Sequence, residues 1–351
     1  MKICLLPFLI ATLQAQWIHL PTPGIPRTAN GKPNLTAPVA RTADGKPDLS
    51  GIWRIGMGAP GYVVNLAADL KPGDVQPWAD ALYRKRLANL GRDDPWTVDC
   101  LPLGPRHITN GGLARIVQTP NEIVMLYEDL AYRQIFLDGR ALPQDPNPTW
   151  MGYSVGRWDG DTLIVETTGF NDRSWIDMGG HPHTEALRIT ERFHRRDLGH
   201  MDLSVTIDDP KAYAKPWTIR TQVGLAADTE LLESVCNENE RDRSHLVGRT
   251  AEEQKVTVAP SILAQYAGTY DTISATDAVV SEPLFVVTFE DNQLWLDMGG
   301  KGKKLPLVPL SETTFSPRLL GTWEFVKDDQ GTVIELRAHS TEGVMRAKRR
   351  R

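Results

Sequence analysis

The chain of 351 residues has few cysteines, no excess of basic residues and no long internal apolar run. Its formal net charge is −5, which argues against a nucleic-acid-binding protein, because such proteins need a clustered basic surface. No internal stretch reaches the roughly 18 apolar residues that a membrane-spanning helix needs. The only basic run, residues 346–351, is interpreted as a solvated terminus. The sequence predicts no cofactor, and it does not indicate a protein partner.

The first fifteen residues are organised like a secretory signal. Lys2 supplies a positive charge, residues 3–13 are apolar, and the small residue Ala15 follows as a cleavage site. A buried N-terminal helix is the alternative, but Pro7 and the absence of a polar face count against it. The sequence therefore predicts a signal peptide over residues 1–15 and export to the periplasm or the extracellular space.

The predicted signal peptide determines which cysteines remain in the mature chain. Cys4 would leave with the signal peptide, and Cys100 and Cys236 would remain in an oxidising compartment. The spacing excludes a Cys-x-x-Cys zinc motif, and neither residue carries the signature of a catalytic cysteine. We expect a disulfide between Cys100 and Cys236, with two separate buried thiols as the alternative.

Residues 16–50 form a proline-rich leader that contains a repeat of ten residues, 27–36 and then 41–50. Each copy has Asn-Gly or Asp-Gly followed by Lys-Pro, which is typical of turns. Two copies are too few for a solenoid, which needs about three or more. The leader is therefore predicted to be a duplicated turn segment on the surface of the following domain.

One helix is predicted between Pro77, which suits a first helical turn, and Gly91, which can end a helix. Asp74 or Gln76 could cap it. Its apolar stripe is only partial, and we interpret the helix as a lid packed on a sheet.

From Ala114 onward the apolar residues alternate with a period of two, which indicates β-strands. Short links with turn residues predict an antiparallel meander that closes or nearly closes. The fold class is therefore mostly β, with two antiparallel, barrel-like domains: a main domain over 51–250 and a smaller one over 263–351, joined by a linker near 250–260. The predicted strands of the main domain are 114–118, 122–128, 132–137, 152–158, 162–168, 187–195, 201–208, 216–223 and 230–236, and those of the small domain are 268–272, 283–289, 293–297, 305–308, 322–327 and 332–338.

Two resemblances accompany this pattern. Residues 263–270, 294–296 and 307–315 resemble the small lipocalin-like domain that is appended to secreted serine β-lactamase-type hydrolases, which implies a lipocalin-like fold for the small domain. The hydrolase domain of those proteins is absent, because the chain contains no Ser-x-x-Lys. The main domain resembles a large uncharacterised family of secreted bacterial proteins, through residues 45–53, 100–106, 132–140, 158–172, 181–185 and 208–213. That resemblance implies no catalytic residue.

Charged residues fall on the apolar faces of several predicted strands. A two-residue turn at 130–131 would place Glu128 opposite Arg133, and Glu166 and Glu191 would share their lumen. Buried carboxylates must be paired or serve a task, because an unpaired one costs several kcal/mol. The alternative is that the strand faces are misread and the charges lie outside. Candidate catalytic residues are Glu128, Arg133, Glu166, Glu191, Asp172 and Asp177.

Aromatic residues near loops suit sugars or aromatic ligands, although core packing explains them equally well. The candidate ligand-binding residues are Trp150, Tyr153, Trp175, Trp217 and Arg106. His181 and His183 have a spacing that can bind metal, but on a glycine-rich loop this is a weak signal, and no metal site is predicted.

Two functions remain open from the sequence. The first is an exported protein that binds a small molecule in a polar lumen suited to a sugar or an aromatic ring compound. The alternative is a hydrolase or lyase on glycosides or similar compounds, which would use paired carboxylates as acid and base. A purely structural role is a third possibility. The sequence does not decide whether the protein is an enzyme.

Overall fold

A computed structural model describes residues 20–56, 62, 64–71, 73–89, 91–110, 112–236, 256–273, 284–299, 304–316, 322–340 and 343–350. The predicted signal peptide lies outside these residues, and so does the first part of the predicted linker, residues 250–255. No helix in the described part of the chain is long and apolar enough to cross a membrane.

Within the described residues, nine strands form a first closed barrel, as the alternating pattern predicts. Alternation places one set of side chains inside, where they form a core of aliphatic and aromatic residues. The strands are β1 Gly51–Ile55, β2 Leu113–Gln118, β3 Glu122–Tyr127, β4 Tyr132–Phe136, β5 Tyr153–Asp159, β6 Thr162–Thr168, β7 Arg188–Arg195, β8 His200–Asp208 and β9 Trp217–Leu225.

The barrel closes through β1, which pairs with β2 on one side and with β9 on the other. The predicted strand at 230–236 is wrong, because that segment is irregular and mostly exposed. With β1 already paired to β9, no edge is left for a further strand.

One pair of neighbours departs from the predicted antiparallel meander. Strands β4 and β5 are parallel, with Ile135 opposite Ser154. Parallel neighbours need a connection that returns to the starting end of the first strand. Residues 137–152 form this connection and run from the end of β4 back to the end where both strands begin.

The two leader repeats form the same turn twice. In the first copy the Thr28 N–H donates to the Lys32 carbonyl, and in the second the Thr42 N–H donates to the Lys46 carbonyl, each at 2.9 Å. The arginine that opens each copy holds an aspartate of the barrel domain through both of its terminal nitrogens. These pairs are Arg27 with Asp228 and Arg41 with Asp161. The predicted surface turn segment is therefore confirmed.

The end of the leader enters the barrel core. Leu49 is 2% exposed and belongs to the core cluster, and its carbonyl accepts a 2.8 Å hydrogen bond from the indole of Trp53. The side chain of Gln118 accepts from the Leu49 N–H and donates to the Pro47 carbonyl. The leader therefore covers the end of the barrel at which β1 begins, which we call the leader end.

The predicted lid helix is α1, Pro77–Ala88, with Pro77 in its first turn and Gly91 beyond its end at a φ of 70°. Gln76 is its N-cap residue, but no side chain caps the helix. Only Ala79 is buried, which fits the partial apolar stripe. Further helical segments with bounds inside the described ranges are α2 Pro95–Asp99, a 3-10 turn Gly104–Arg106, α3 His107–Asn110 and α4 Pro260–Tyr266.

Eight further strands form a second closed barrel within the described residues. Its core contains the aromatic residues Tyr266, Tyr270, Phe315 and Phe325, which pack on one another. The strands are β10 Gly268–Ile273, β11 Leu284–Glu290, β12 Gln293–Met298, β13 Lys304–Pro309, β14 Thr314–Ser316, β15 Thr322–Lys327, β16 Val333–Ser340 and β17 Gly343–Arg349.

Sequence reasoning missed β14 and β17. Most of the basic run 346–351 belongs to β17, and its basic side chains Arg346, Lys348 and Arg350 are exposed, as the interpretation of a solvated terminus expects. Arg346 lies opposite Arg337 of β16 and Ile273 of β10, so the basic segment closes the second barrel. Glu335 on β16 forms ion pairs with both Arg337 and Arg346. Cross-strand pairing of opposite charge thus makes a basic strand compatible with the sheet.

The repeat supplies a matched test of how the leader stabilises the barrel. Leu49 is buried in the core, whereas Leu35, at the same repeat position, is only half-buried. Leu49→Ala should lower the free energy of unfolding by about 2–4 kcal/mol because it leaves a cavity. Leu35→Ala should cost about 1 kcal/mol or less. Urea unfolding of both variants checks this, and equal losses would show that the leader does not anchor in the core.

Candidate functional site

The end of the first barrel opposite the leader carries its longest connections, and we call it the loop-rich end. The connections β6–β7 (169–187) and β8–β9 (209–216) meet there with the segment 64–112. Helix α1 lies against them: the Trp78 indole donates to the Lys211 carbonyl and the Arg86 guanidinium to the Gly180 carbonyl. Most of the polar groups buried in this barrel lie at or near this end.

A buried ion pair joins strands β4 and β7 inside the barrel. Arg133 of β4 and Glu191 of β7 are each about 1% exposed at the side chain, and both guanidinium Nη atoms donate to the Glu191 carboxylate. Arg133 also donates to the hydroxyls of Ser154, at 3.1 Å, and Thr167, at 2.7 Å. Burial alone would lower the pKa of Arg133, but the charge of Glu191 and its hydrogen bond raise the pKa on balance. All four side chains hold one another in a closed network.

The other predicted lumen carboxylates lie elsewhere. Met125 lies opposite Arg133, so the expected register of Glu128 with Arg133 is wrong. Glu128 is half-buried, and its carboxylate accepts a long 3.4 Å hydrogen bond from the Leu113 N–H. In β3 the inward residues are Ile123, Met125 and Tyr127.

The prediction that Glu166 points into the lumen is also wrong. The inward residues of β6 are Leu163, Val165 and Thr167, so Glu166 lies on the outer face of the barrel. Asp172 is exposed in the β6–β7 connection. The structure therefore does not bring the candidate carboxylates together, and Glu191 is the one that enters the lumen.

Asp177 and His181 form a buried pair in the β6–β7 connection. The Nδ1 of His181 lies 2.6 Å from Asp177 Oδ2, and the Asp177 carboxylate also accepts from the N–H groups of Leu66, Gly180 and His181. Burial would raise the pKa of Asp177, but the charge and hydrogen bond of His181 and these N–H groups lower it. Because an ionised carboxylate only accepts, Nδ1 carries the proton, and Nε2 of a neutral ring would present a lone pair.

The ring of His181 is fixed on its face as well as at its edge. Tyr83 of α1 stacks on it with the ring centroids 3.7 Å apart and the planes inclined by 15°. Among the described residues, Nε2 of His181 has no hydrogen-bond partner. His181 is thus a rigidly held ring with one uncommitted nitrogen.

Two neighbouring histidines are committed at both nitrogens. His107 faces the carboxylate of Asp129 at 2.8 Å and the Gly104 carbonyl at 3.3 Å. Burial would raise the pKa of Asp129, but the hydrogen bond and charge of His107 lower it. His183 meets the hydroxyl of Ser174 at 3.0 Å and its other nitrogen faces the Thr184 carbonyl.

The His183 ring stays neutral over the physiological pH range. Burial lowers its pKa to about 4. Its Nδ1 proton then points at the Thr184 carbonyl, and its Nε2 accepts from the Ser174 hydroxyl. Although a serine beside a histidine is the arrangement of an activated nucleophile, both side chains are buried and the base is far from its optimal pKa.

Arg106, a candidate ligand-binding residue, is buried in an ion pair with Asp94. Both of its Nη atoms donate to the Asp94 carboxylate, at 2.9 and 3.4 Å. Its Nε is buried without a hydrogen-bond partner among the described residues, and so is the hydroxyl of Thr97 in α2. Unsatisfied buried polar atoms are rare and call for a specific partner, such as a water or a ligand.

The candidate aromatic residues divide between core and surface. Trp175 and Trp217 are buried; Arg86 lies over the Trp175 ring and the Trp217 indole donates to the Leu66 carbonyl. Trp150 is half-buried beneath Arg173, and Tyr153 is half-buried with its hydroxyl accepting from Arg140. The aromatic residues are thus spread around this end and do not line one surface.

The sequence also contains a short motif that the strand pattern does not explain. Gly152-Tyr153-Ser154-Val155-Gly156 matches the G-x-S-x-G pattern of nucleophile elbows. Such an elbow requires a strand-to-helix turn that exposes the serine. Ser154 instead lies within β5, is 1% exposed and bonds to Arg133 and Thr167. The match is therefore coincidental, and the motif supplies a member of the buried network.

Cys100 and Cys236 form a disulfide with their Cα atoms 5.7 Å apart, as the cysteine count predicts. The bond joins the end of α2 to the segment after β9. No group of three or more metal-ligating side chains occurs within the described part of the chain. His181 and His183 turn to Asp177 and Ser174 respectively.

Comparison with known proteins found no match: no family model, no curated protein and no solved structure matches the chain. The two resemblances inferred from the sequence therefore remain predictions.

The Arg133–Glu191 pair predicts a large effect on stability. Glu191→Gln should lower the free energy of unfolding by about 3–5 kcal/mol, because it leaves a buried guanidinium without its counter-ion. The control Glu166→Gln, on the outer face, should change it by about 0.5 kcal/mol or less. The double variant Arg133→Met with Glu191→Leu should recover most of the loss, since it removes both charges. Urea unfolding measures all three, and a stable Glu191→Gln variant would contradict the assignment.

The lowered pKa of His183 predicts that the protein loses stability in mild acid. Because its pKa is lower in the folded than in the unfolded chain, the unfolded chain binds a proton first as the pH falls below about 6.5. Between about pH 7.5 and about pH 5 this should cost about 2 kcal/mol. His183→Gln keeps an acceptor for Ser174 and should show a correspondingly smaller decline in urea unfolding. An unchanged decline would mean that other groups cause it.

Proposed function

We propose that this chain is an exported protein that binds a small molecule at the loop-rich end of its first barrel. The observation that carries the proposal is the state of His181. Asp177 fixes its Nδ1, Tyr83 fixes its face, and its Nε2 has no partner in the described part of the chain. A ring held on two sides with one open nitrogen is preorganised to form a hydrogen bond with a ligand.

The surroundings favour a polar ligand that contains a ring. Tyr83 offers a half-buried aromatic surface beside Nε2, and aromatic surfaces suit sugars and aromatic rings. The unpartnered Nε of Arg106 is a further buried donor at this end of the barrel. The chemical class is therefore a neutral ring compound with hydroxyl groups, such as a sugar or a phenol.

Export is supported by the disulfide between Cys100 and Cys236, because such bonds persist in oxidising compartments. The apolar segment at residues 3–13, preceded by Lys2, supports the same conclusion from the sequence. The periplasm and the extracellular space both fit.

A hydrolase or lyase is the second candidate. Asp177 holds His181 in the orientation and tautomer of a general base, which is the role of the aspartate in catalytic triads. Enzymes that rely on paired carboxylates are favoured less. Each described carboxyl group whose pKa clearly departs from its ordinary value has a lowered pKa, whereas a general acid needs a raised one.

A binding screen tests the proposal with neutral monosaccharides and simple phenols as probes, using saturation-transfer NMR on the full chain. His181→Gln keeps a donor for Asp177 but loses the ring, and it should weaken binding of any hit at least about tenfold. His183→Gln, two residues away, should leave affinity within about twofold because both nitrogens of His183 already have internal partners.

The outcomes separate the two candidates. If a hit is converted, and Asp177→Asn abolishes conversion while leaving binding within about threefold, the protein is an enzyme with His181 as its base. Equal loss of affinity in the His181 and His183 variants would show that the site is not at His181.

A further inference from the structure

A cavity of about 460 Å³ lies at the leader end of the first barrel, opposite the loop-rich end. Its walls come from the leader, the start of β1, Arg115 of β2, the β7–β8 turn with Arg195, and the end of β9 with the segment after it. This volume falls within the range of small-ligand sites, which is about 300–1,000 Å³. None of its lining residues belongs to the Asp177–His181 site.

The polar centre of the cavity wall is Arg195, the last residue of β7, which is 5% exposed. Its guanidinium donates to three backbone carbonyls, those of Asp48, Asp197 and Leu198, and lies over the Trp53 ring at 4.8 Å. These bonds connect the leader to the β7–β8 turn. An arginine carries five N–H groups, so two remain for a further acceptor.

Arg195 lacks the carboxylate contact that other buried arginines of this barrel have. Arg133 is held by Glu191 and Arg106 by Asp94, each through two nitrogens. The carboxylates nearest in the chain serve local backbone groups: Asp48 accepts from the Ser50 N–H, and Asp197 accepts from Gly199 and His200. Burial lowers the pKa of Arg195, and the nearby charges of Asp48 and Asp197 offset this only in part, so Arg195 is a buried cation with no carboxylate bound directly to it.

The rest of the wall combines apolar and polar groups. Nine aliphatic or proline side chains line the cavity, and hydroxyls of Thr22, Ser50 and Thr229 add polar groups. Exposed Arg115 contributes a second cation, and Asp48 and Glu230 are the acidic lining residues. The aliphatic and proline residues are Leu20, Pro21, Pro23, Ile25, Ala40, Ile52, Leu198, Leu225 and Ala226.

We infer that this cavity binds a small monocarboxylate with an apolar body, its carboxylate on Arg195 and its body against the aliphatic wall. A carboxylate is the planar anion that matches the guanidinium fork, and it would bind directly to a cation that Asp48 and Asp197 compensate only at a distance. The acidic lining residues disfavour a dianion, which restricts the class to ligands with one negative charge. The site is separate from that of the proposed function.

The inference is tested by titrating the full chain with benzoate and with hexanoate up to about 10 mM. Saturation-transfer NMR detects the binding of each probe. At least one of these should bind, and benzyl alcohol or hexanol of the same shape should bind at least about tenfold more weakly. Arg195→Met should lower carboxylate affinity at least about tenfold.

Because Arg195 also ties the leader to the barrel, a second variant keeps the test decisive if Arg195→Met fails to fold. Ser50 is exposed and lines the cavity. Ser50→Trp should therefore fill the cavity and lower the affinity for the carboxylate at least about tenfold. Its matched control is Thr36→Trp, at the same position of the other repeat and outside the cavity lining, which should leave affinity within about twofold.

The inference is overturned if neither carboxylate binds, if the alcohols bind equally well, or if Ser50→Trp binds as the unmodified chain does. Failure of these tests leaves the His181 site untouched, because that site is probed with neutral ligands and different variants.

Discussion

The closure of the first barrel depends on one strand of five residues, Gly51–Ile55, whose two edges pair with β2 and β9. Closure removes the open sheet edges, although β4 and β5 pair over only two residues. It also determines which parts of the chain meet. The segment before β1 must lie at the leader end, and the segment after β1 must lie at the loop-rich end. The cavity-bearing end and the histidine-bearing end are therefore built from different segments.

The disulfide and the leader reinforce this arrangement from outside the barrel. Cys100 follows β1 in the chain and Cys236 follows β9, so their bond joins segments that flank the closing pair of strands. In the chain-entropy model, a closed loop of this length contributes about 4–5 kcal/mol. At the leader end, Leu49 packs in the core and Arg41 forms an ion pair with Asp161. The exposed arginine pairs add little stability, so the leader depends mainly on apolar contact.

The sequence predicted the strands better than their faces. In β7 one face is wholly polar, so the burial of Glu191 among Ile189 and Phe193 could be inferred directly. In β3 both faces are apolar, and a shift of one residue exchanges them, which misplaced Glu128. The same ambiguity in β6 misplaced Glu166. The irregular segment 230–236 resembled a strand because alternation alone does not say whether a partner edge exists.

The candidate site was less predictable than the fold for a related reason. Asp177 and His181 are both visible in the sequence, but their pairing depends on a loop that turns back through the Gly180 N–H. The stacking of Tyr83 depends on where α1 lies, which its weak apolar stripe does not determine. Loop conformation and helix docking are long-range properties, and periodicity carries no information about them.

The three buried arginines of the first barrel show how the same side chain serves different purposes. Arg133 meets Glu191 and two hydroxyls and is fully committed to the core. Arg106 has its carboxylate but keeps one nitrogen unpartnered. Arg195 has only carbonyls and borders a cavity. A buried charge is costly unless it is neutralised, so the degree to which each guanidinium is satisfied separates a structural role from a binding role. On that criterion Arg133 is structural, and the incompletely satisfied guanidinium groups of Arg106 and Arg195 lie at the two ends of the barrel.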